Sequence, residues 1–328
     1  MRSPFVAGGP VMRAMAQRSW AQGEPLVMTE LPTPTPRAGE LVVEVQAIGV
    51  NPVDWKMRSR GPLRLAARLI GPPPPVVVGI DFAGVVTAVG AGTRVRVGDR
   101  VVGGTNFARK QRGSQADTVV VRDDQVATLP EGFDIVVAGA LPVAGVTASM
   151  CVGEVGRLQA GQRALVLGAS GGVGQLVVQF VRHAGGSAVG VCSTRNLELV
   201  RSLGATAIDY TQGDPLVEAR AHGPFHLVID CVGGYSGTAC RRLLARGGRH
   251  VMIAGETVGE ALNGLVPPFT SKLVLGRPTR ARLEPVVAAV ASGAVKVRIE
   301  ATMPLTQAEA ALARSREGRL TGKLVLLP

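Results

Sequence analysis

One stretch, residues 163–194, restricts the possible folds of this chain more than any other. An apolar run at 164–167 is followed at once by four closely spaced glycines, namely Gly168, Gly171, Gly172 and Gly174. Apolar side chains then recur with helical spacing as far as Ala184, and a second apolar run occupies 188–191. This order predicts a strand, a glycine loop, a helix and a second parallel strand within about 30 residues.

The glycine loop of this unit fits a dinucleotide. The helix that begins there directs unpaired N–H groups and the positive end of its dipole at the loop, which suits a pyrophosphate. After the second strand, no carboxylate that could hold ribose hydroxyls occurs before Glu198. Ser193 and Arg195 stand there instead, and a hydroxyl beside a guanidinium favours a 2′-phosphate. The sequence therefore predicts NADPH in preference to NADH.

Length and composition indicate two domains and no membrane span. The 328 residues, 46% hydrophobic and 18% charged, suffice for two cores. No uncharged apolar stretch reaches the ~18–20 residues that cross a bilayer. Residues 1–14 lack the apolar region of a signal peptide, so we expect a disordered extension there. The four cysteines form no CxxC pair, which favours free thiols and a cytoplasmic location.

The net charge of +12 raises the question of a nucleic-acid partner. The basic side chains, most of them arginines, are scattered along the chain. Aromatic residues that could stack on bases make up only 3% of the chain. We therefore expect no specific nucleic-acid partner, although nonspecific binding at low salt fits the charge.

The remaining elements place the dinucleotide unit inside a second domain. Short strands separated by Gly and Pro suggest a small antiparallel barrel, and they lie at 41–47, 76–79, 84–89, 100–102 and 119–121. Later elements are helices at 132–153, 283–292 and 306–317, and strands at 226–230, 249–254, 273–275, 294–299 and 323–327. We predict an α/β protein in which a catalytic β-barrel domain, 15–135 and 294–328, is interrupted by a doubly wound domain, 136–293.

Seven motifs follow one another along the chain. They are NPVD at 51–54, GIDFAG at 79–84, VGDRV at 97–101, LPVAGVTA at 141–148, the glycine loop at 168–174, LGA at 203–205 and GKLV at 322–325. Together they resemble the medium-chain dehydrogenase/reductase superfamily in its zinc-independent quinone oxidoreductase branch, including relatives of the reticulon-4-interacting protein. The resemblance covers nearly the whole chain after Met12. It implies a GroES-like catalytic domain, a Rossmann domain and often a homodimer formed through the Rossmann sheets.

The residues themselves disfavour zinc-dependent alcohol chemistry. A catalytic zinc needs about three Cys, His or carboxylate ligands plus water, but no cysteine precedes Cys151 and no histidine precedes His183. Asn51 or its neighbours stand where zinc-dependent relatives carry a ligand cysteine, and Gly79-Ile80-Asp81 replaces their Gly-His-Glu. We therefore expect no metal, and we expect the four histidines at the surface or at strand ends.

The resemblance also implies roles for individual residues. Asn51 would lie near the nicotinamide and the substrate carbonyl, and Thr147 would help to hold the nicotinamide. The residues implied to hold the rest of the cofactor are Gly168, Ser170, Gly171, Gly172, Val173, Gly174, Ser193, Arg195, Tyr210, Val232 and Ala254. Lys323 either assists the cofactor phosphates or closes a strand. A turn at Asn51 and strand-end packing of Tyr210 are the alternatives for those two residues.

The proton donor is where the chain departs from the family pattern. Relatives often carry a tyrosine shortly after the Asn-Pro-Val segment, whereas this chain has Trp55 and Lys56. Lys56 or solvent is then the candidate proton source, because desolvation lowers the pKa of a lysine, and a solvated Lys56 is the alternative. Asp54 is a further candidate catalytic residue, although orienting the loop suits it better. Trp55 either lines the substrate pocket or packs into the barrel.

A site without a metal has to polarise its substrate by hydrogen bonds and positioning, which suits hydride transfer to an enone or a quinone. The sequence therefore predicts a zinc-independent, NADPH-dependent reductase of activated C=C bonds or quinones. Two alternatives stay open. One is a biosynthetic reductase or reductive cyclase acting on a larger natural product, and the other is a cofactor-binding protein with a regulatory or RNA-binding role.

Overall fold

A computed structural model gives the structure of residues 9–59, 61–253 and 271–328. Ala254, one of the implied cofactor residues, lies outside these described residues. Within them, none of the helices combines the length and the apolar character needed to cross a bilayer.

The described strands follow in chain order. They are β1 (Val11–Gln17), β2 (Val27–Pro32), β3 (Glu40–Gly49), β4 (Val76–Val77), β5 (Asp81–Val89), β6 (Arg100–Gly104), β7 (Thr118–Arg122), β8 (Val126–Thr128), β9 (Arg163–Leu167), β10 (Ser187–Cys192), β11 (Thr206–Asp209), β12 (Phe225–Asp230), β13 (Leu244–Met252), β14 (Ser271–Leu273), β15 (Ile299–Pro304) and β16 (Lys323–Leu327).

The described α-helices connect these strands. They are α1 (Pro52–Lys56), α2 (Pro62–Ile70), α3 (Ile135–Gly139), α4 (Pro142–Val152), α5 (Gly174–His183), α6 (Leu197–Ser202), α7 (Pro215–Ala219), α8 (Gly237–Arg241), α9 (Arg280–Ala291) and α10 (Ala308–Glu317).

The catalytic domain is built from two sheets. One has the order β2-β1-β4, and the other has the order β15-β16-β3-β5-β6-β8 with β7 also paired to β3. All neighbours in these sheets are antiparallel except β15 and β16. In β3, Leu41, Val43 and Val45 are buried, whereas Glu44 is exposed, so alternate side chains face one core. The NPVD segment at 51–54 follows directly after β3, and the neighbouring antiparallel strand β5 begins at Asp81.

The dinucleotide-binding domain is a six-stranded parallel sheet. Its order is β11-β10-β9-β12-β13-β14, which is the doubly wound order with a reversal between β9 and β12. The strands are apolar because helices cover both faces of such a sheet. Ligands bind outside the carboxyl ends of the strands at this reversal, where the glycine loop lies. The α/β class and the two predicted architectures are therefore confirmed.

Two expectations about the chain near its ends need correction. Residues 11–14 are not a disordered extension, because β1 begins at Val11 and buries Met12 and Ala14 against its neighbours. The strand expected at 294–299 does not form over that range, and β15 begins only at Ile299.

The physical reason for the second correction is a pair of glutamines on α5. Gln179 accepts a hydrogen bond from the Lys296 N–H (2.8 Å) and donates one to the Lys296 carbonyl (2.9 Å). Gln175 makes the same pair of bonds with Arg298 (2.9 and 3.2 Å). The two buried side-chain amides thus replace a neighbouring strand as partners of this backbone.

One histidine also differs from expectation. His250 lies within β13 and is fully buried, with its Nδ1 3.0 Å from the hydroxyl of Ser271 on β14. Burial lowers its pKa to about 4, so the ring is neutral at physiological pH.

Candidate active site

Close backbone approaches shape the glycine loop between β9 and α5. Gly168 has a φ of +80°, where a side chain would be strained. A Cβ atom on Gly174 would come 2.1 Å from the Gly168 carbonyl oxygen, so only glycine fits there. Among the described residues, no side chain caps the start of α5. The Gln175 and Leu176 amides bond to backbone carbonyls, whereas those of residues 172–174 have no partner within the described chain and can bind an anion.

The turn after β12 lies against the glycine loop. The buried carboxylate of Asp230 accepts hydrogen bonds from the N–H groups of Val232 and Gly233, both at 2.9 Å. These bonds bring Val232 over the glycine loop, where its Cγ2 lies 2.5 Å from the place that a Cβ of Gly168 would occupy. Val232 is exposed, so its side chain can contact a molecule bound at the glycine loop.

The residues predicted to surround a 2′-phosphate gather at one edge of the sheet. Ser193 follows β10 and Tyr210 follows the neighbouring β11, and the Tyr210 N–H donates to the Cys192 carbonyl (3.1 Å). Tyr210 and Arg195 are exposed and Ser193 is half-buried. The Arg195 guanidinium donates to the carbonyl oxygen of Arg319, which belongs to the catalytic domain.

Sequence reasoning missed Asp209 at the same edge. Its carboxylate accepts hydrogen bonds from the hydroxyl of Thr194 (2.6 Å) and from the hydroxyl and N–H of Thr211 (2.7 and 2.9 Å). The Thr194 bond is the main reason why the pKa of Asp209 is lowered. Its position at the end of the next parallel strand was the available signal, because such ends share one edge of a sheet.

The loop before β16, residues 318–322, crosses from the catalytic domain onto the glycine loop. The Gly322 N–H donates to the Ser170 carbonyl (3.1 Å), and the Thr321 hydroxyl donates to Asn196 Oδ1 (3.1 Å). The Asn196 amide in turn donates to the Ser170 hydroxyl (2.9 Å). Ser170 is thus bonded to both domains, and the two domains meet at the predicted cofactor loop.

A buried polar cluster lies where β16 meets the loop after β3. The Lys323 ammonium donates to the Val50 carbonyl (2.9 Å) and to Asn51 Oδ1 (2.6 Å), and it lies 3.7 Å from Asp81 Oδ2. Asn51 Nδ2 donates to the same Asp81 oxygen (2.9 Å) and at longer range to the Gly49 carbonyl (3.4 Å). The amide of Asn51 is therefore bonded to the protein on both sides. The ammonium of Lys323 is directed at Asn51, which differs from the phosphate-binding alternative.

Two buried carboxyl groups belong to this cluster. Asp54 Oδ2 accepts the Asn51 N–H (2.9 Å), and Asp81 Oδ1 accepts the Val143 N–H near the start of α4 (2.8 Å). Burial raises the pKa of Asp54 to about 7 and that of Asp81 to about 6, while the positive charge of Lys323 acts in the opposite direction. Asp54 thus holds the backbone of the Asn51 loop in place.

Three other predicted residues lie around this cluster. Trp55 is half-buried and packs against the catalytic-domain core, and its buried Nε1 has no hydrogen-bond partner among the described residues. The Lys56 ammonium lies 5.5 Å from the centre of the Trp55 ring, within cation–π range. Thr147 is buried within α4, and the backbone of Gly276 lies directly over its hydroxyl.

The described part of this site does not suit a zinc ion. Across 9–59, 61–253 and 271–328, no group of three or more His, Cys, Asp or Glu side chains is placed to hold a metal. The side-chain oxygens of Asn51 and Asp81 already face the Lys323 ammonium, whose charge would repel a metal cation.

Comparisons with known proteins identify the family. A family model described as an alcohol dehydrogenase GroES-like domain matches residues 37–131, and one described as a zinc-binding dehydrogenase matches residues 203–326. The chain is 30% identical to a chloroplast envelope quinone oxidoreductase homolog of Arabidopsis thaliana, over 98% of this chain and 99% of the relative. It is 32% identical to a 2-methylene-furan-3-one reductase of Solanum lycopersicum, over 90% of this chain and 73% of the relative.

A solved structure supports the same family. The quinone oxidoreductase from Coxiella burnetii matches with a TM-score of 0.86 at 26% identity, over 97% of this chain and all (100%) of that one. The chain therefore belongs to the quinone oxidoreductase-like branch of the medium-chain dehydrogenase/reductase superfamily, and it is an oxidoreductase that works with a nicotinamide cofactor.

Proposed function

We propose that this oxidoreductase is a zinc-independent reductase that takes hydride from NADPH and delivers it to an enone or a quinone. One observation carries the proposal: the glycine loop and the Asn51 cluster meet at a single junction. A Cβ on Gly172 would lie 2.9 Å from Lys323 Cδ, and the ammonium of the same lysine bonds to Asn51. The dinucleotide cradle thus adjoins the loop implied to face the substrate.

Residues of the dinucleotide-binding domain would hold the cofactor. The amides at residues 172–174, at the uncapped start of α5, suit the pyrophosphate. Ser193, Arg195 and Tyr210 lie at the sheet edge where a 2′-phosphate would be recognised, and the guanidinium offers charge-assisted donors. When bound, NADPH supplies the hydride.

The catalytic domain would supply position and a proton. Asn51 is fixed by Lys323 and Asp81, so the loop that carries it keeps one geometry beside the cradle. Trp55 next to it offers the face of a flat apolar ring, which suits a planar conjugated acceptor. Lys56, half-buried over this ring, is the proposed proton donor to the reduced product.

The names of relatives support both acceptor classes. One relative is a quinone oxidoreductase homolog, and another reduces a 2-methylene-furan-3-one, whose name describes a carbonyl conjugated with a C=C bond. A flat conjugated carbonyl is common to the two classes. We propose that this shared chemistry, in place of one particular compound, defines what the site accepts.

We further propose a cytoplasmic homodimer without a dedicated nucleic-acid partner. The four cysteines are free thiols, three of them buried, which supports a reducing compartment. Within the described part of the chain, β14 is the last strand of the parallel sheet, and Leu273 and Leu275 beside it are exposed. Because an apolar sheet edge tends to pair with another strand, this edge suits a second copy of the chain.

Steady-state oxidation of NADPH tests the activity. The acceptors are 1,4-benzoquinone and a short α,β-unsaturated ketone, each with and without EDTA. We expect oxidation with at least one acceptor and no effect of the chelator. A loss of activity with EDTA would contradict zinc independence, and no oxidation with either class would contradict the reductase proposal.

The cofactor preference is tested by Arg195→Asp. Losing a charge-assisted contact and adding a negative charge should raise the Kd of NADPH by about tenfold or more, with little effect on NADH. The matched control is Arg220→Asp. This exposed arginine precedes the amino end of β12, whereas Arg195 lies beyond the carboxyl ends of the strands. Equal effects of Arg195→Asp on both nucleotides would contradict the NADPH preference.

A further inference from the structure

Lys323 is a buried lysine whose ammonium is surrounded by oxygen atoms. Its Nζ lies 2.6 Å from Asn51 Oδ1, 2.9 Å from the Val50 carbonyl oxygen and 3.7 Å from Asp81 Oδ2. The Lys323 side chain is only 5% exposed, and that of Asp81 is fully buried (0%). Lysine is seldom buried without such partners, because removing its charge from water is costly.

The oxygens around this ammonium come from different parts of the catalytic domain. Val50 and Asn51 follow β3, whereas Asp81 begins β5. Asp81 also accepts the Val143 N–H near the start of α4 and the Asn51 amide, so the group is closed by hydrogen bonds. The ammonium of Lys323 is the shared partner that holds these segments together.

The aliphatic part of the same side chain contacts the cofactor loop. A Cβ added at Gly172 would come 2.9 Å from Lys323 Cδ, so a larger residue there would displace this side chain. The preceding residue, Gly322, forms a parallel bridge with Gly171. One side chain therefore connects the glycine loop of one domain with the Asn51 loop of the other.

We propose that Lys323 is the built-in cation of this site, and that its ammonium gathers the oxygens of Val50, Asn51 and Asp81 around one positive charge, as a structural metal ion would. It holds Asn51 and Asp81 in fixed positions beside the cofactor loop. Lys323 is a positioning residue, because its ammonium contacts protein atoms. The effect on hydride transfer rests on the proposed function, whereas the structural role of the charge does not.

The pH dependence of this role follows from the acidic groups that face the ammonium. These are Asp81 at 3.7 Å and Asp54 farther away. Without the cation, an ionised Asp81 would be a buried charge without its partner, and it would bind a proton to avoid this state. Losing the charge of Lys323 should therefore destabilise the protein at high pH and matter little once Asp81 is protonated.

Lys323→Met is the sharpest test, because it keeps a long apolar side chain and removes the charge. We expect its Tm to lie roughly 5–10 °C below that of the wild type at pH 8, and close to it at pH 5. Lys296→Met is the matched control, since it removes an exposed ammonium, and its Tm should change little at either pH. A Lys323→Met protein as stable as the wild type at pH 8, or equally destabilised at both pH values, would overturn the proposal.

Lys323→Ala tests whether a cation, rather than a filled volume, is required. Ethylammonium chloride should restore at least half of the lost Tm at pH 8, whereas ethanol, of similar size and neutral, should not. If ethylammonium restores no more than ethanol does, the charge has no special role and the proposal fails.

Turnover separates this inference from the proposed function. In Lys323→Met we expect kcat for NADPH-driven reduction of the accepted substrate to fall at least about tenfold. The Kd of NADPH, measured by its fluorescence, should stay within about threefold, because the ammonium bonds to Asn51 and not to the phosphate loop. The unfolding experiments need no substrate, so a wild type without reductase activity would refute only the proposed function. An unchanged kcat would refute the positioning role of Lys323.

Discussion

Asp54→Asn removes a buried carboxyl group from the cluster while keeping its size and its acceptor oxygen. The Asp54 side chain is fully buried, and its Oδ2 accepts the Asn51 N–H at 2.9 Å. An asparagine oxygen can accept the same bond, so the loop geometry should survive. What changes is the cost of ionising this group in the folded protein.

The magnitude follows from the pKa of Asp54. Burial raises it from 3.8 to about 7. Because the folded-state pKa lies above the unfolded one, the stability that this group contributes is complete below pH 4 and is lost as the pH rises to 7. The shift of about 3 units corresponds to about 4 kcal/mol in full, of which about 3 kcal/mol should be lost between pH 4.5 and 8.

Denaturant unfolding of the wild type and of Asp54→Asn at pH 4.5 and 8 measures this loss. Relative to the variant, the wild type should lose about 3 kcal/mol of unfolding free energy between the two pH values. Asp124→Asn is the control, because its carboxylate is 60% exposed and pairs with arginines at the surface, so its difference from the wild type should be nearly constant. Parallel pH profiles of wild type and Asp54→Asn would refute the reasoning that a buried, ionisable Asp54 limits stability at neutral pH.

Three further substitutions test other parts of the site. Gly174→Ala puts a Cβ 2.1 Å from a loop carbonyl oxygen, so NADPH binding, measured by fluorescence titration, should weaken at least about tenfold. Gly213 has open space around it, so the control variant Gly213→Ala should bind NADPH normally. Gln179→Leu leaves the backbone of Lys296 without its two partners, and a loss of about 2–4 kcal/mol in urea unfolding is expected; no loss would show that water replaces the amide. Trp55→Phe removes a buried N–H without a partner, so stability should change by less than about 1 kcal/mol while KM for a quinone rises; an unchanged KM would place Trp55 outside the pocket.

Patterns between near neighbours in the sequence predicted the dinucleotide unit well. β9, α5 and β10 lie where the apolar runs, the glycines and the helical spacing put them. Their signals depend on backbone conformation and on residues three or four positions apart, which a linear sequence displays directly. The same is true in part of β3, where buried Val43, Val45 and Ala47 alternate with exposed Glu44 and Gln46.

The segment that connects the dinucleotide-binding domain to β15 of the catalytic domain shows where such patterns fail. Residues 294–299 have the composition of a strand, yet the backbone groups of Lys296 and Arg298 bond to the side chains of Gln179 and Gln175, more than 100 residues earlier on α5. A similar pairing between distant residues puts Asp209, at the end of β11, beside Thr194, which follows β10. The sequence directly after β10 showed no such carboxylate. Both results depend on which segments become neighbours in the folded chain.

By itself, the sequence determined the cofactor cradle, the family motifs and the absence of cysteine and histidine before residue 151. Only the tertiary structure decided what the charged groups do, because it brings Lys323 to Asn51 across 272 residues of chain and places both beside Asp81. The physical reason is that the energy of a buried charge depends on the burial and the partners around it in three dimensions. The spacing of residues along the chain shows neither the burial of a charged group nor its partners.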